Sequence, residues 1–293
     1  PRLSRRSLAP PLAATGAAPA PAARGARPAQ GSPKPLFGLC AGPDKAEKLK
    51  AVGYDFIEGG VGGTLKPEVS DADYAPELAK LKACALPFRS CNGFIPGKFR
   101  LTGPETTHDA ALAYAVKACE RADALGVPYI VFGSGGARKA PEGFDLAKGK
   151  AQFIAFSQKL GDRIRDLKVT IVLEPLNKGE TNLLNSVSEG IEYVDAIGRP
   201  RIRLLADFYH MLKEGEGPDA IRKAGARILH CHIAELDGRK APGTKGEDLS
   251  GFFKALKDIG YAGGVSIEGN WPKDNIEDAW RKALATMRLQ AAV

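Results

Sequence analysis

Four residues able to hold a divalent cation stand at the ends of four successive apolar runs. Glu174 follows "VTIVL", Asp207 ends "IRLLAD", His232 lies near the end of "ILHCHI", and Glu268 follows "GGVSI". An unpaired carboxylate at the end of a buried run costs stability unless it is hydrogen-bonded, protonated or bound to a cation. Three carboxylates meeting at one point repel one another strongly, and a divalent cation removes that repulsion. An oxygen-rich set with a single imidazole suits Mn²⁺ best, with Mg²⁺ or Co²⁺ also accommodated, rather than a thiolate-type zinc site. The chemistry open to such a set is Lewis-acid activation of a carbonyl, with a carboxylate oxygen to move a proton on the adjacent carbon.

Other polar residues follow the same runs. Glu180 lies six residues after Glu174 in "VLEPLNKGETNLLN", His210 three after Asp207, and Arg239 seven after His232. A Glu, a His and an Arg around a metal form a grip for a polyhydroxylated ligand. His230 shares the strand face of His232 one layer deeper, and reads as support or packing rather than a ligand. Glu58 in "DFIEGG" either faces the same mouth or makes a structural hydrogen bond. Arg138 in "GSGGAR" reads as a solvated loop arginine, and Trp271 as a ring that stacks on a ligand or packs at the rim. The basic, glycine-containing stretch "LDGRKAPGTKGED" offers a place for a phosphate.

These residues need a frame that brings strand ends together. From residue 35 onward, short apolar runs alternate with longer amphipathic ones, eight times in succession. Phe153, Phe156, Leu160, Ile164 and Leu167 recur at helical spacing, as do Val187, Ile191, Val194 and Ile197. Gly53, Gly126, Gly198, Gly225 and Gly260 close helices where a left-handed cap is needed. Eight βα units predict an α/β fold, a closed (β/α)₈ TIM barrel over residues 35–293, with the strand C-termini converging at its mouth. No Gly-rich dinucleotide fingerprint follows the first run, which disfavours an open doubly wound sheet.

The net charge of +8 does not point to nucleic acid, because six of the basic residues lie within residues 1–43, which contain no acid. The remainder is near neutral, at +2. Residues 1–34, "PRLSRRSLAPPLAATGAAPAPAARGARPAQGSPK", carry Arg5-Arg6, an Ala/Pro-rich weakly apolar run and small residues such as Ala18-Pro19-Ala20. They read as a twin-arginine export signal, implying a periplasmic or exported protein, or else as a disordered tail on a cytoplasmic one. The run is too short and too proline-rich to span a membrane. Five scattered cysteines without C-x-x-C spacing read as buried apolar residues rather than disulfides. Association into a homo-oligomer is left open.

The stretches "LEPLNKGETNLLN", "DFYH", "HCHIAE" with Arg239 downstream, and "DIGYAGGVSIE" resemble the xylose isomerase-like TIM barrels of the sugar phosphate isomerase/epimerase superfamily. Within it, they are most similar to the ketose 3-epimerases acting on D-tagatose and D-psicose. The resemblance implies one divalent metal held by Glu174, Asp207, His232 and Glu268. It also implies that Glu174 and Glu268 act on opposite faces of a sugar, and that Glu180, His210 and Arg239 hold it. The expected activity is metal-dependent isomerisation or epimerisation through an ene-diolate, on a free sugar if the protein is exported. A lyase cleaving a 3-keto-glycoside is the alternative. A non-catalytic sugar-binding barrel and an endonuclease-IV-like phosphodiesterase are more distant, the latter because the chain has only four histidines. Arg239 sits one residue further from His232 than in the family pattern. Gly269-Asn270-Trp271 replaces a Pro-Phe pair, and the loops "GFIPGKFRLTGPE" and "GSGGARKAPEGFD" differ.

Overall fold

The structure, a computed structural model, describes residues 34–293; the expected export signal or tail, but for Lys34, lies outside them. The strands are β1 (Leu36–Cys40), β2 (Phe56–Gly60), β3 (Phe88–Asn92), β4 (Tyr129–Phe132), β5 (Thr170–Leu173), β6 (Ile202–Asp207), β7 (Ile228–Ile233) and β8 (Gly264–Ile267). All pair in parallel in sequence order, and β8 closes on β1 from Leu36↔Gly264 to Leu39↔Ile267. The helices are α1 (Ala46–Val52), α2 (Asp71–Lys82), α3 (His108–Leu125), α4 (Gly135–Arg138), α5 (Leu146–Arg163), α6 (Val187–Ile197), α7 (Phe208–Lys213), α8 (Asp219–Ala224), α9 (Ser250–Asp258) and α10 (Ile276–Gln290). This is the (β/α)₈ TIM barrel expected from the alternation. Among the described residues, no helix is long and apolar enough to cross a membrane.

Each main helix turns its periodic apolar face to the barrel. Phe153, Phe156 and Leu160 of α5 and Val187, Val194 and Ile197 of α6 are buried. Phe132 at the end of β4 meets Phe94, Phe153 and Phe156 with ring centroids 5.2, 5.1 and 6.2 Å away. Such aromatic contacts add about 0.5–1.5 kcal/mol each beyond area burial, so this cluster braces β4 against α5. All five expected capping glycines have positive φ.

Two boundaries differ from the sequence reading. Helix α5 stops at Arg163, so Ile164 and Leu167 lie in the turns that follow it, although Ile164 is still buried. Beyond β6, "FYHMLK" forms the short helix α7, an element additional to the alternating units read from the sequence. Asp207 starts it: Oδ1 accepts the N–H groups of Tyr209 (2.8 Å) and His210 (3.3 Å), the geometry of an N-cap.

Inside the barrel, Val131, Val172 and Leu205 form a small apolar cluster separate from the barrel–helix core. Side chains two apart on a strand share a face. Val172 is followed two residues later by Glu174, Leu205 by Asp207, and His230 by His232. The strand period thus lifts one polar layer directly above the apolar floor.

Candidate active site

The four strand-end residues meet. Glu174 and Glu268 each lie one residue past a strand, where their N–H groups extend the ladder to Phe132 O and Ile233 O. Each of Glu174, Asp207, His232 and Glu268 offers one ligand atom, all within 4.8 Å of one another. That span is about twice a metal–oxygen bond of roughly 2.0–2.6 Å, so one cation can touch all four. Nδ1 of His232 lies 2.9 Å from Glu174 Oε1, 3.3 Å from Glu268 Oε2 and 3.9 Å from Asp207 Oδ2. Asp207 Oδ2 is buried and makes no hydrogen bond among the described residues, with Arg239 Nη2 at 3.5 Å and His210 Nε2 at 3.6 Å, while Oδ1 caps α7. An orphaned carboxylate oxygen aimed at three other donors is what a divalent cation fits, so the residues present suit a metal.

Glu58, in the middle of β2, aims the imidazole. Its Oε1 lies 2.9 Å from His232 Nε2, and its Oε2 takes His230 Nε2 at 2.8 Å and the Ser90 hydroxyl at 2.5 Å. Burial pushes Glu58 up, but His232 and His230 outweigh it and hold the carboxyl well below its usual range. Nε2 of His232 therefore donates to Glu58, which leaves Nδ1 for the cluster. Without a cation, burial disfavours charge on His232, yet Glu58, Glu268 and Glu174 raise it well above the ordinary histidine value. A proton there serves as counter-charge. Burial also raises Glu174, against the pull of His232, and lifts Asp207 to about 6. Glu268 goes down, because His232 and Arg239 overcome its burial.

Glu180, His210 and Arg239, the residues expected to hold a ligand, line the same mouth. Arg239 Nη2 reaches Glu268 Oε2 at 2.5 Å, Nη1 lies 3.7 Å from Glu180 Oε1, and the guanidinium sits 4.8 Å above the Tyr209 ring. His210 is buried, which lowers its pKa and keeps the ring neutral. The Asn177 N–H donates to His210 Nδ1 at 3.2 Å, so Nε2 carries the hydrogen; among the described residues that atom makes no hydrogen bond and lies 3.6 Å from Asp207 Oδ2. Asn177 also donates to Glu180 Oε1 at 2.9 Å. Asn92 donates to Glu268 Oε1 at 3.1 Å. A cavity of about 300 Å³, lined in part by Cys40, Glu58, Gly60, Thr64 and Asn92, opens beside the cluster.

All seven site residues singled out from the sequence come together here. His230 supports Glu58 and stacks on Tyr129 at 6.0 Å. Arg138 departs from its reading as a solvated arginine: it is fully buried, and donates to Phe132 O and Leu184 O at 3.2 Å each. The loop after β4 folds back as α4 and carries it inward. Trp271 is half-buried and packs against the core at the rim. Sequence reasoning missed Asn92, Asn177 and Tyr209 and undervalued Glu58. Asn92, the last residue of β3, had the signal that found the others, a polar residue at a strand's C-terminal end; Glu58, in the middle of β2, did not.

Residues 46–290 match the xylose isomerase-like TIM barrel, and the chain belongs to that family. A D-psicose 3-epimerase of Agrobacterium fabrum is 30% identical over 236 residues, covering 76% of this chain and 77% of that protein. An L-ribulose 3-epimerase of Methylomonas sp. is 37% identical over 122 residues, 41% of this chain and 42% of that protein, so this match spans less than half of either. A solved D-psicose 3-epimerase, determined in the presence of D-fructose, shares the fold with a TM-score of 0.77 at 22% identity, covering 88% of this chain and 100% of the other.

Proposed function

We propose that the chain is a divalent-metal-dependent sugar epimerase that moves a proton on a carbon beside the carbonyl of an unphosphorylated ketose. One observation carries this reading: Glu174 and Glu268, from β5 and β8, both bring a carboxyl oxygen within 3.3 Å of the same nitrogen of His232. When bound at Glu174, Asp207, His232 and Glu268, a metal supplies Lewis-acid polarisation of the sugar carbonyl; the oxygen-rich set favours Mn²⁺, Mg²⁺ or Co²⁺.

The remaining work falls to the protein. One of the two glutamates removes the proton and the other returns one, and return to the opposite face of the same carbon inverts it. Positioned proton transfer of this kind contributes about 10²–10⁴ in rate. His210 Nε2–H and the Arg239 guanidinium donate to sugar oxygens, and Glu180 accepts from a hydroxyl. Glu174, Asp207, His210 and His232 are all buried, so the sugar meets fixed dipoles rather than bulk water.

The test is deuterium incorporation from D₂O, with Mn²⁺ supplied, across free ketoses, free aldoses and 3-keto-glycosides. Label on the inverted carbon of a ketose is expected. Loss of the leaving group from a 3-keto-glycoside, with a C=C bond formed at the carbon that gave up its proton, identifies a lyase instead. Failure to exchange on any of them removes the proposal.

A further inference from the structure

The loop between β7 and α9, which presents Arg239, is built around a buried carboxylate. Glu235, two residues past β7, is fully buried. It accepts four backbone N–H groups: Gly243 (2.7 Å), Lys245 (2.5 Å), Gly246 (3.1 Å) and Glu247 (3.3 Å). The Lys245 ammonium pairs with Asp237 instead, at 2.7 Å. Gly243 and Gly246 both take φ of +82°, a left-handed conformation that turns neighbouring amides to one point. Converging amides of this kind make a nest for an anion. Loops after the seventh and eighth strands of such barrels are frequent phosphate sites, and the composition of this one invited that reading. Here the nest already holds an anion, the chain's own.

We propose that Glu235 is a built-in substitute for a phosphate: it fills the nest, fixes the loop that carries Arg239, and closes this position to sugar phosphates. The last clause rests on the sugar-epimerase reading; the first two do not. A tethered group competes at an effective concentration of at least the millimolar range, so free anions at similar levels do not displace it. The link to Arg239 is direct. The Glu235 N–H donates to Lys240 O at 2.8 Å, and the Asn270 N–H to Arg239 O at 2.6 Å. Arg239 is thus pinned from both sides in a left-handed conformation, φ +51°. Glu235 is a positioning residue for that guanidinium.

The experiment compares the full-length, metal-loaded chain with Glu235→Ala and Glu235→Gln. Inorganic phosphate is expected to leave the melting temperature of the parent chain unchanged. In Glu235→Ala the vacated nest takes phosphate, raising the melting temperature by roughly 3–5 °C at ten times its dissociation constant. Formate restores the variant's KM towards that of the parent, a rescue that a merely structural role does not give. Glu235→Gln keeps the volume but sets an amide NH₂ against N–H donors, so KM rises about tenfold with kcat little changed. The proposal is overturned if the parent chain itself binds phosphate through this loop, or turns over a ketose phosphate better than the free ketose. It also fails if a folded Glu235 variant ignores phosphate and formate and keeps its KM. The thermal measurements need no sugar turnover, so they decide the nest even where the epimerase reading fails. The phosphate titration of the parent chain stays decisive if neither variant folds.

Discussion

Changing Glu58 to glutamine keeps the size of the side chain and removes its charge, at a position that touches His232 rather than substrate. Three contacts converge on this carboxylate, from Ser90, His230 and His232, at 2.5, 2.8 and 2.9 Å. A hydrogen bond to a charged group contributes about 1.5–3 kcal/mol and a neutral one about 0.5–1.5, so the contact to His232 weakens by roughly 1–1.5 kcal/mol. The amide must also choose which end faces the imidazole. If its NH₂ faces Nε2, the ring proton moves to Nδ1, where it blocks the metal position. Both effects act on affinity, and together they predict a Mn²⁺ dissociation constant raised about 10- to 100-fold, as for other groups that orient metal-bound histidines. Calorimetric titration of the metal-free protein measures this, and turnover recovers most of its value at saturating Mn²⁺. Unchanged Mn²⁺ affinity in a folded Glu58→Gln protein would refute the account of how the imidazole is aimed.

Other outcomes follow from the same geometry. Chelation abolishes turnover and added Mn²⁺ or Co²⁺ restores it, which an activity assay with metal add-back checks; activity indifferent to chelator contradicts the proposed reaction. Glu174→Gln and Glu268→Gln each lose about 10²–10⁴ in kcat while circular dichroism shows the fold retained, since each removes a proton carrier. In the metal-free protein His232 holds a proton at neutral pH, and Asp207, raised to about 6 by burial, takes up another as pH falls through that value. Metal must displace both, so Mn²⁺ affinity falls with falling pH, and the slope steepens by about one proton below pH 6. Titrations at a series of pH values test this, and a flat profile contradicts it.

Much of this was legible because barrel and site share one periodicity. The period of two that places Val172 beneath Glu174 and Leu205 beneath Asp207 is visible in the residues themselves, as is the helical spacing of α5 and α6. The position of each of the four strand-end residues then follows from the rule that strand C-termini meet at the mouth. What escaped depends on contacts distant in sequence. Nothing local distinguishes Glu58 from a structural acid; its partners lie 32, 172 and 174 residues away. Arg138 sits in a polar, glycine-rich run, and one of the carbonyls that accepts from it once buried, that of Leu184, lies 46 residues away. Helix α7 was hidden because Asp207 ends a strand and caps a helix at once, and an apolar run ending in an acid is readable as either.

That double duty at Asp207 makes one carboxyl group a hinge between architecture and reactivity. Its two oxygens are not equivalent: one anchors the turn that carries Tyr209 and His210, and the other is spare for a cation. Asparagine at this position can keep the anchor while giving up the charge, whereas alanine lets go of both. Losing the charge at the cluster and misplacing His210 are therefore separable injuries, although they share a single codon.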